Sequence, residues 1–445
     1  MSRRQMHLAA HFPGVNTTTV WADTDSRSQI EFSSFAHLAR TAERGLFDFF
    51  FLAEGLRLRE HKGRIHDLDV VGRPESITVL NALAAVTERL GLAATVDATF
   101  NEPYELARRF ATLDHLSGGR AAWNVVTSSD AFTGENFRRG GYLDRAERYP
   151  RAAEFLDIAR ELWDSWTPGG IPRPFAHRGR HFDIAGEFTL PRSPQGHPVV
   201  IQSGDSEEGR EFAASAADVI FSGWGSGGYP PGRRSTWQSS LEDGRAFCTD
   251  VKRRLAKYGR ARDDVKIMPR VGVVLGDTAA EAQERAAEIR RQQTSPQNAL
   301  LTLEQIWGVD LSSYDPDGPL PDIGPVVDPA LTQGRTRRGD TVAIAEKWRA
   351  LSEEKGLSIR ETVIEAGGRH FFTGTPEAVA RELDEHVRRE AADGFILVPH
   401  LTPGGLDEFV DRVVPLLQER GAFRTEYRGT TLRSHLGLPA PVSTG

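Results

Sequence analysis

The feature that most restricts this chain is an alternation repeated along nearly its whole length. Short apolar runs rich in β-branched and aromatic residues are separated by longer segments in which apolar residues return every three or four positions. The runs are His7 to Phe12, Phe47 to Ala53, Gly91 to Ala98, Arg120 to Thr127, Pro198 to Ser203, Asp218 to Ser222, Lys266 to Leu275 and Gly394 to Val398. Their continuous apolar character suits strands covered on both faces, as parallel strands are. Pro269 inside the seventh run predicts a bulge or kink.

The periodic segments predict helices over 34–45, 75–90, 103–116, 150–166, 207–216, 236–259, 278–293, 341–355 and 376–392, several introduced by proline, which fits the first helical turn. Residues 143–149 predict a separate helical turn. Eight strands, most trailed by a helix, are the arithmetic of an α/β protein of the (β/α)8 TIM-barrel class, stretched well past the usual length of about 250 residues. The extra length falls in insertions around 55–73, 224–235 and 294–340 and in a C-terminal extension, 421–445, within one domain spanning 1–445. A doubly wound sheet is the alternative. Its strongest support, Gly223-Trp224-Gly225-Ser226-Gly227-Gly228 after a strand, runs into Tyr229-Pro230-Pro231 where a dinucleotide motif needs a helix start, so the segment reads as a βα loop.

Charge and cysteine content narrow the function. A net charge of −7 with both signs interspersed leaves no basic stripe for nucleic acid or an anionic membrane. The single cysteine, Cys248, allows no intramolecular disulfide and no zinc or iron–sulfur cluster. His177 and His181 have a helical i, i+4 spacing, but Arg178-Gly179-Arg180 between them reads as a loop, so no metal site is expected. Arg3-Arg4 is followed by no apolar signal core, and no run of about 18 apolar residues exists, so a cytoplasmic, soluble protein is expected.

Eight segments, taken in order, resemble the bacterial luciferase-like flavin monooxygenases, in the branch that holds the nitrilotriacetate, EDTA and dibenzothiophene-sulfone enzymes. They are Glu43-Arg44-Gly45 through Ala53-Glu54, Arg73-Pro74-Glu75, Thr87 to Tyr104, Leu113 to Ser128, Arg148-Tyr149 to Phe155, Ser193 to Arg210, Phe372 to Ala380 and Asp393 to Arg424. The resemblance implies a two-component, FMN-dependent monooxygenase. Reduced, dissociable FMN would come from a separate NAD(P)H:flavin reductase, react with O2 to a C4a-(hydro)peroxide and oxygenate a small organic substrate. A homodimer or homotetramer is implied too. A deazaflavin-dependent hydride-transfer enzyme and a non-catalytic flavin-binding protein are the alternatives.

In a barrel the loops at the C-terminal strand ends build the site. His11, late in the first strand, is either a catalytic histidine or a core histidine with a satisfied hydrogen bond. Glu54, where the family usually has Asp, is a flavin or substrate contact or a charge reaching solvent. Thr99 suits a flavin carbonyl or a helix cap; Asn124 and Ser128 suit the flavin pyrimidine edge or the core. Arg145, where the family places His, and Tyr149 lie one helical turn apart and could share a phosphate. Gln202, Gly204 and Ser206 join a strand to a helix, with Ser206 matching the family's phosphate serine or serving as N-cap. His370 reads as lying near the barrel bottom, and Arg57, Arg59, Lys62 and Arg64 as a solvated lid. The substrate is left open, since specificity resides in the inserted loops.

Overall fold

The computed structural model describes residues 4–14, 18–54, 56, 60–61, 64–65, 74–128, 137, 146–167, 169–222, 237–326, 340–367 and 371–441. Eight parallel strands, β1 (His7–His11), β2 (Phe49–Leu52), β3 (Gly91–Asp97), β4 (Ala121–Val126), β5 (Val199–Gln202), β6 (Val219–Ser222), β7 (Lys266–Leu275) and β8 (Gly394–Leu397), pair in chain order, and β8 returns to β1 to close a (β/α)8 barrel. All eight fall within the apolar runs of the sequence.

Alternation along each strand separates two cores. Ala9, Phe49, Phe51, Ala93, Ala122, Val199, Ile201, Val219, Met268 and Ile396 fill the barrel interior. The residues between them, among them Leu8, Phe50, Leu92, Trp123, Val200 and Phe395, pack outward in the larger core shared with the helices. These include α1 (Phe32–Arg44), α2 (Ser76–Ala84), α3 (Pro103–Ser117), α4 (Arg148–Trp163) and, after β5, α5 (Glu207–Ala216).

Helix α2 stops at Ala84, six residues short of the expected end, because two side chains claim the backbone beyond it. The Arg120 guanidinium donates to the carbonyls of Ala84, Thr87 and Leu90, and Glu43 Oε1 accepts the amides of Glu88, Arg89 and Leu90. Helix α4 begins at Arg148, so Pro150 is its third residue and not its first. Pro269 does not interrupt β7: it stands opposite Ser222, the last residue of β6. Beyond it β7 pairs with β8 through Arg270 and Val271, and then with a short strand, Phe371–Gly374, outside the barrel.

Helices α6 (Trp237–Leu255) and α7 (Ala279–Gln293) match expectation closely. The insertion at 294–340 is itself partly helical. It opens with α8 (Pro296–Trp307), capped by Ser295, whose hydroxyl accepts the Asn298 amide. With α9 (Thr341–Lys355) and α10 (Ile359–Ala366), it buries Trp307, Trp348, Leu303 and Ile359 in a core of its own. The Ser-Pro cap signature at 295–296 was the available signal. A hairpin, Pro174–Arg178 with Asp183–Glu187, also went unforeseen because its residues are mostly exposed and carry no apolar alternation. Glu154 binds its turn, accepting the amides of His181 and Phe182 and lying 3.1 Å from His177 Nε2.

The C-terminal extension closes the barrel from below. Leu432, Leu436 and Leu438, on and after the short helix Leu432–His435, enter the interior core. A Cβ on Gly91, the first residue of β3, would lie 2.6 Å from Leu432 Cδ1 and 2.8 Å from the backbone carbonyl oxygen of Asp48, so this position has room only for glycine. Arg433 pairs with Asp218 just before β6 at 3.0 Å. Among the described residues no helix is long and apolar enough to cross a membrane.

Candidate active site

With the lower mouth plugged, the accessible chemistry lies at the C-terminal strand ends, where the sequence candidates stand. His11 ends β1, Gln202 ends β5, and Glu54, Thr99 and Ser128 each lie two residues beyond β2, β3 and β4. Arg145 and His370 lie outside the described residues, as do Arg57, Arg59, Lys62 and the loop at 224–235.

His11 is buried on the inner face beside Phe51, its partner in register. Its ring stacks on Phe51 at 5.4 Å and on Phe221 at 6.3 Å, and those two phenyl rings stack on each other at 4.9 Å. Phe51 on β2 and Phe221 on β6 come from opposite strands, so the three rings meet across the barrel interior and fill it with apolar surface. Glu54 is half-buried and accepts a hydrogen bond from Ser76 Oγ at 3.2 Å.

Asn124, also buried, is held by protein on both ends of its amide: Nδ2 donates to Thr95 Oγ1 at 3.0 Å and Oδ1 accepts from Ser203 Oγ at 2.7 Å. It thereby ties β3, β4 and the end of β5 together. Thr99 and Ser128 meet each other, since the Ser128 amide donates to Thr99 Oγ1 at 3.1 Å. Both are gathered by Asp97, whose Oδ1 accepts the amides of Thr99 and Phe100 at 2.6 and 3.1 Å and whose Oδ2 accepts the Ser128 hydroxyl. Burial raises the pKa of Asp97, against those donated hydrogen bonds.

The β5–α5 turn is the tightest part of the site. Gln202 Oε1 accepts the Gly204 amide at 2.8 Å, so Gly204 contributes through its missing side chain and not through a free N–H. A Cβ on Gly204 would lie 2.6 Å from Tyr149 Oη and 2.9 Å from the Cα of Gly209; one on Gly209 would lie 2.8 Å from the same hydroxyl. Tyr149, from the first turn of α4, therefore lays its hydroxyl over two bare glycines at the start of α5. Ser206 is the N-cap, its Oγ accepting the Gly209 amide at 3.2 Å, which leaves the hydroxyl proton to donate elsewhere. The structure thus brings Tyr149 against the turn that holds Gln202, Gly204 and Ser206, with Thr99, Asn124 and Ser128 at the ends of neighbouring strands and His11 across the barrel. A cradle that a single Cβ would fill, rimmed by two hydroxyl donors at a helix N-terminus, fits a phosphate monoester such as that of FMN.

Residues 12–394 match the family described as luciferase-like monooxygenase. The chain belongs to that family. Among its luciferase-like relatives, nitrilotriacetate monooxygenase component A of Aminobacter aminovorans is 39% identical, with 92% of this chain and 90% of the relative covered. A dibenzothiophene-sulfone monooxygenase of Rhodococcus erythropolis is 38% identical, with 100% and 99% covered. A riboflavin lyase solved with a modified FMN and riboflavin superposes with a TM-score of 0.76 at 29% identity, covering 98% of this chain and 96% of the other.

Two features of this luciferase-like chain escaped the sequence reading. Asp97 was absorbed into the apolar run before Thr99, although a carboxylate at the end of GLAATVD was itself a signal. Gly209, in the first turn of a helix where Gly costs about 1 kcal/mol against Ala, was another.

Proposed function

We propose that this chain is an FMN-dependent monooxygenase that receives reduced FMN from a separate NAD(P)H:flavin reductase and uses O2 to oxygenate a small organic substrate. The observation that carries the reading is the Tyr149–Gly204–Gly209 cradle at the C-terminal face of the barrel. Membership of a family whose relatives are monooxygenases supports it.

Bound FMN would supply the oxygen-activating chemistry. The Tyr149 and Ser206 hydroxyls would donate to its phosphate, with Gln202 holding the turn in shape. Asp97 orients Thr99 and Ser128, and Asn124 locks the strands beneath them. Phe51 and Phe221 keep water from the reacting centre, where a dry environment strengthens every polar contact. His11 would move a proton at Nε2, across the ring from the buried Nδ1. The relatives named above act on a polycarboxylate and on an uncharged sulfone, so kinship leaves the substrate class undecided.

The test is anaerobic titration with reduced FMN followed by rapid mixing with oxygenated buffer, reading flavin absorbance. Saturable binding with re-oxidation slower than that of free flavin is expected. Re-oxidation at the free-flavin rate despite binding would leave a flavin carrier, and absence of binding would end the FMN assignment.

A further inference from the structure

Strand β7 presents one residue that the site description does not use. Met268 belongs to the barrel interior, whereas Val271 packs in the outer core and Ile267 in a cluster against the helices. Strand alternation therefore turns Arg270 inward. Register agrees, because Arg270 pairs with Ile396, another interior residue. The guanidinium is exposed at the C-terminal side, two residues above Met268. Among the described residues it makes no hydrogen bond and no ion pair.

Other arginines around the barrel are engaged: Arg120 with five backbone and hydroxyl acceptors, Arg424 with Asp48 and Arg433 with Asp218. Arg270 instead offers its five-donor fork to the mouth, beside Ile396 and one strand from Phe221. Strand β7 stands two strands from β5, which carries the phosphate turn, and two from β1, which carries His11. A ligand held there would lie between the β5 turn and His11.

We propose that Arg270 anchors a carboxylate of the substrate, making this a monooxygenase for organic acids. A planar guanidinium matches a carboxylate through two parallel hydrogen bonds. The inference rests on the FMN-monooxygenase reading for the word substrate, but its geometry stands apart from the phosphate turn.

The experiment is calorimetric titration of the full chain, with and without FMN, using succinate and tricarballylate as probes and succinamide as the uncharged control. Wild type is expected to bind at least one carboxylate and not succinamide. Arg270→Met should weaken that binding at least tenfold, Arg270→Lys should restore part of it, and FMN affinity should stay within twofold in both variants. Carboxylate binding unchanged in Arg270→Met, or absent from wild type, overturns the proposal. A tenfold fall in FMN affinity would also overturn it, by moving Arg270 to the flavin phosphate. Wild type that binds carboxylates but no FMN would refute the flavin reading while leaving the anchor standing.

Discussion

The Tyr149 hydroxyl lies where the side chain of residue 204 would have to begin: a Cβ on Gly204 would come within 2.6 Å of Tyr149 Oη. The tyrosine end could rotate away, but the Cα of Gly209, 2.9 Å from the same point, is backbone and cannot. Gly204→Ala must therefore push the β5–α5 turn off the first turn of α5.

Overpacking of this kind costs about 1–3 kcal/mol, and the proposed phosphate cradle is what shifts. Gly204→Ala is expected to lower FMN affinity at least tenfold while the protein still folds cooperatively. Tyr149→Phe, which removes one donor and no volume, should weaken FMN less and leave stability nearly unchanged. Flavin titration and urea denaturation of both variants check this. Equal FMN affinity in wild type and Gly204→Ala would remove the turn from the flavin site.

Asp97 gives a prediction in which charge and hydrogen bonding separate. Burial raises its pKa, so the ionised form is disfavoured, yet the acceptor is needed by the amides of Thr99 and Phe100. Asp97→Asn keeps a carbonyl for those amides and drops the charge. Asp97→Ala leaves both amides and the Ser128 hydroxyl without that acceptor, at roughly 1–3 kcal/mol for a buried unsatisfied donor. At pH 7 the Asn variant is expected to be as stable as wild type or more so, and the Ala variant less stable by about 2 kcal/mol. Equal losses in both would mean that the carboxylate charge itself holds the loop.

What could be read from the sequence divides along physical lines. All eight barrel strands were legible because burial on both faces makes each a dense apolar run, and β-branched and aromatic residues mark it. Helix α8 is hard to read because its twelve residues run directly toward a Pro-, Gly- and Asp-rich stretch from Ser312 onward that carries no helical period. The end of α2 was illegible for a different reason: Arg120 and Glu43, which stop it, are distant in sequence from the segment they bind. In the site, the turn at 202–206 announced itself through Gly and Ser at a strand-to-helix junction. The inward aim of Arg270 emerged only from the register of β7 against β8.

Two histidines make stability depend on pH in mildly acidic solution. Burial pushes His400 and His435 down to about 4, so both are neutral in the folded chain. The unfolded chain takes up these protons below about 6.5, and the folded chain only below about 4. Because the unfolded state binds more protons in that window, stability is highest above it, falls as the pH drops through it, and stops falling on this account below about 4. Wild type should thus unfold at lower urea at pH 5 than at pH 7. His435→Gln, which cannot titrate, should lose less of its pH 7 stability on the same change. Parallel losses would show that His435 is not a source of the acid sensitivity.

The plug at the barrel bottom separates stability from ligand binding. Leu432 is fully buried between the first residue of β3 and the interior core, and its neighbours Leu436 and Leu438 share that core. Leu432→Ala removes three methyl or methylene-sized groups' worth of packing from a site closed by Gly91 on one side, and collapse around it is limited by the barrel strands. The expected cost is about 2–5 kcal/mol, as for other buried Leu→Ala changes. The proposed flavin turn and His11 lie at the opposite end of the strands, so FMN affinity should remain within twofold. Denaturation and flavin titration on the same preparation test both halves. A variant of unchanged stability would contradict the packing argument. One that keeps its stability but loses FMN would place the flavin at the wrong end of the barrel.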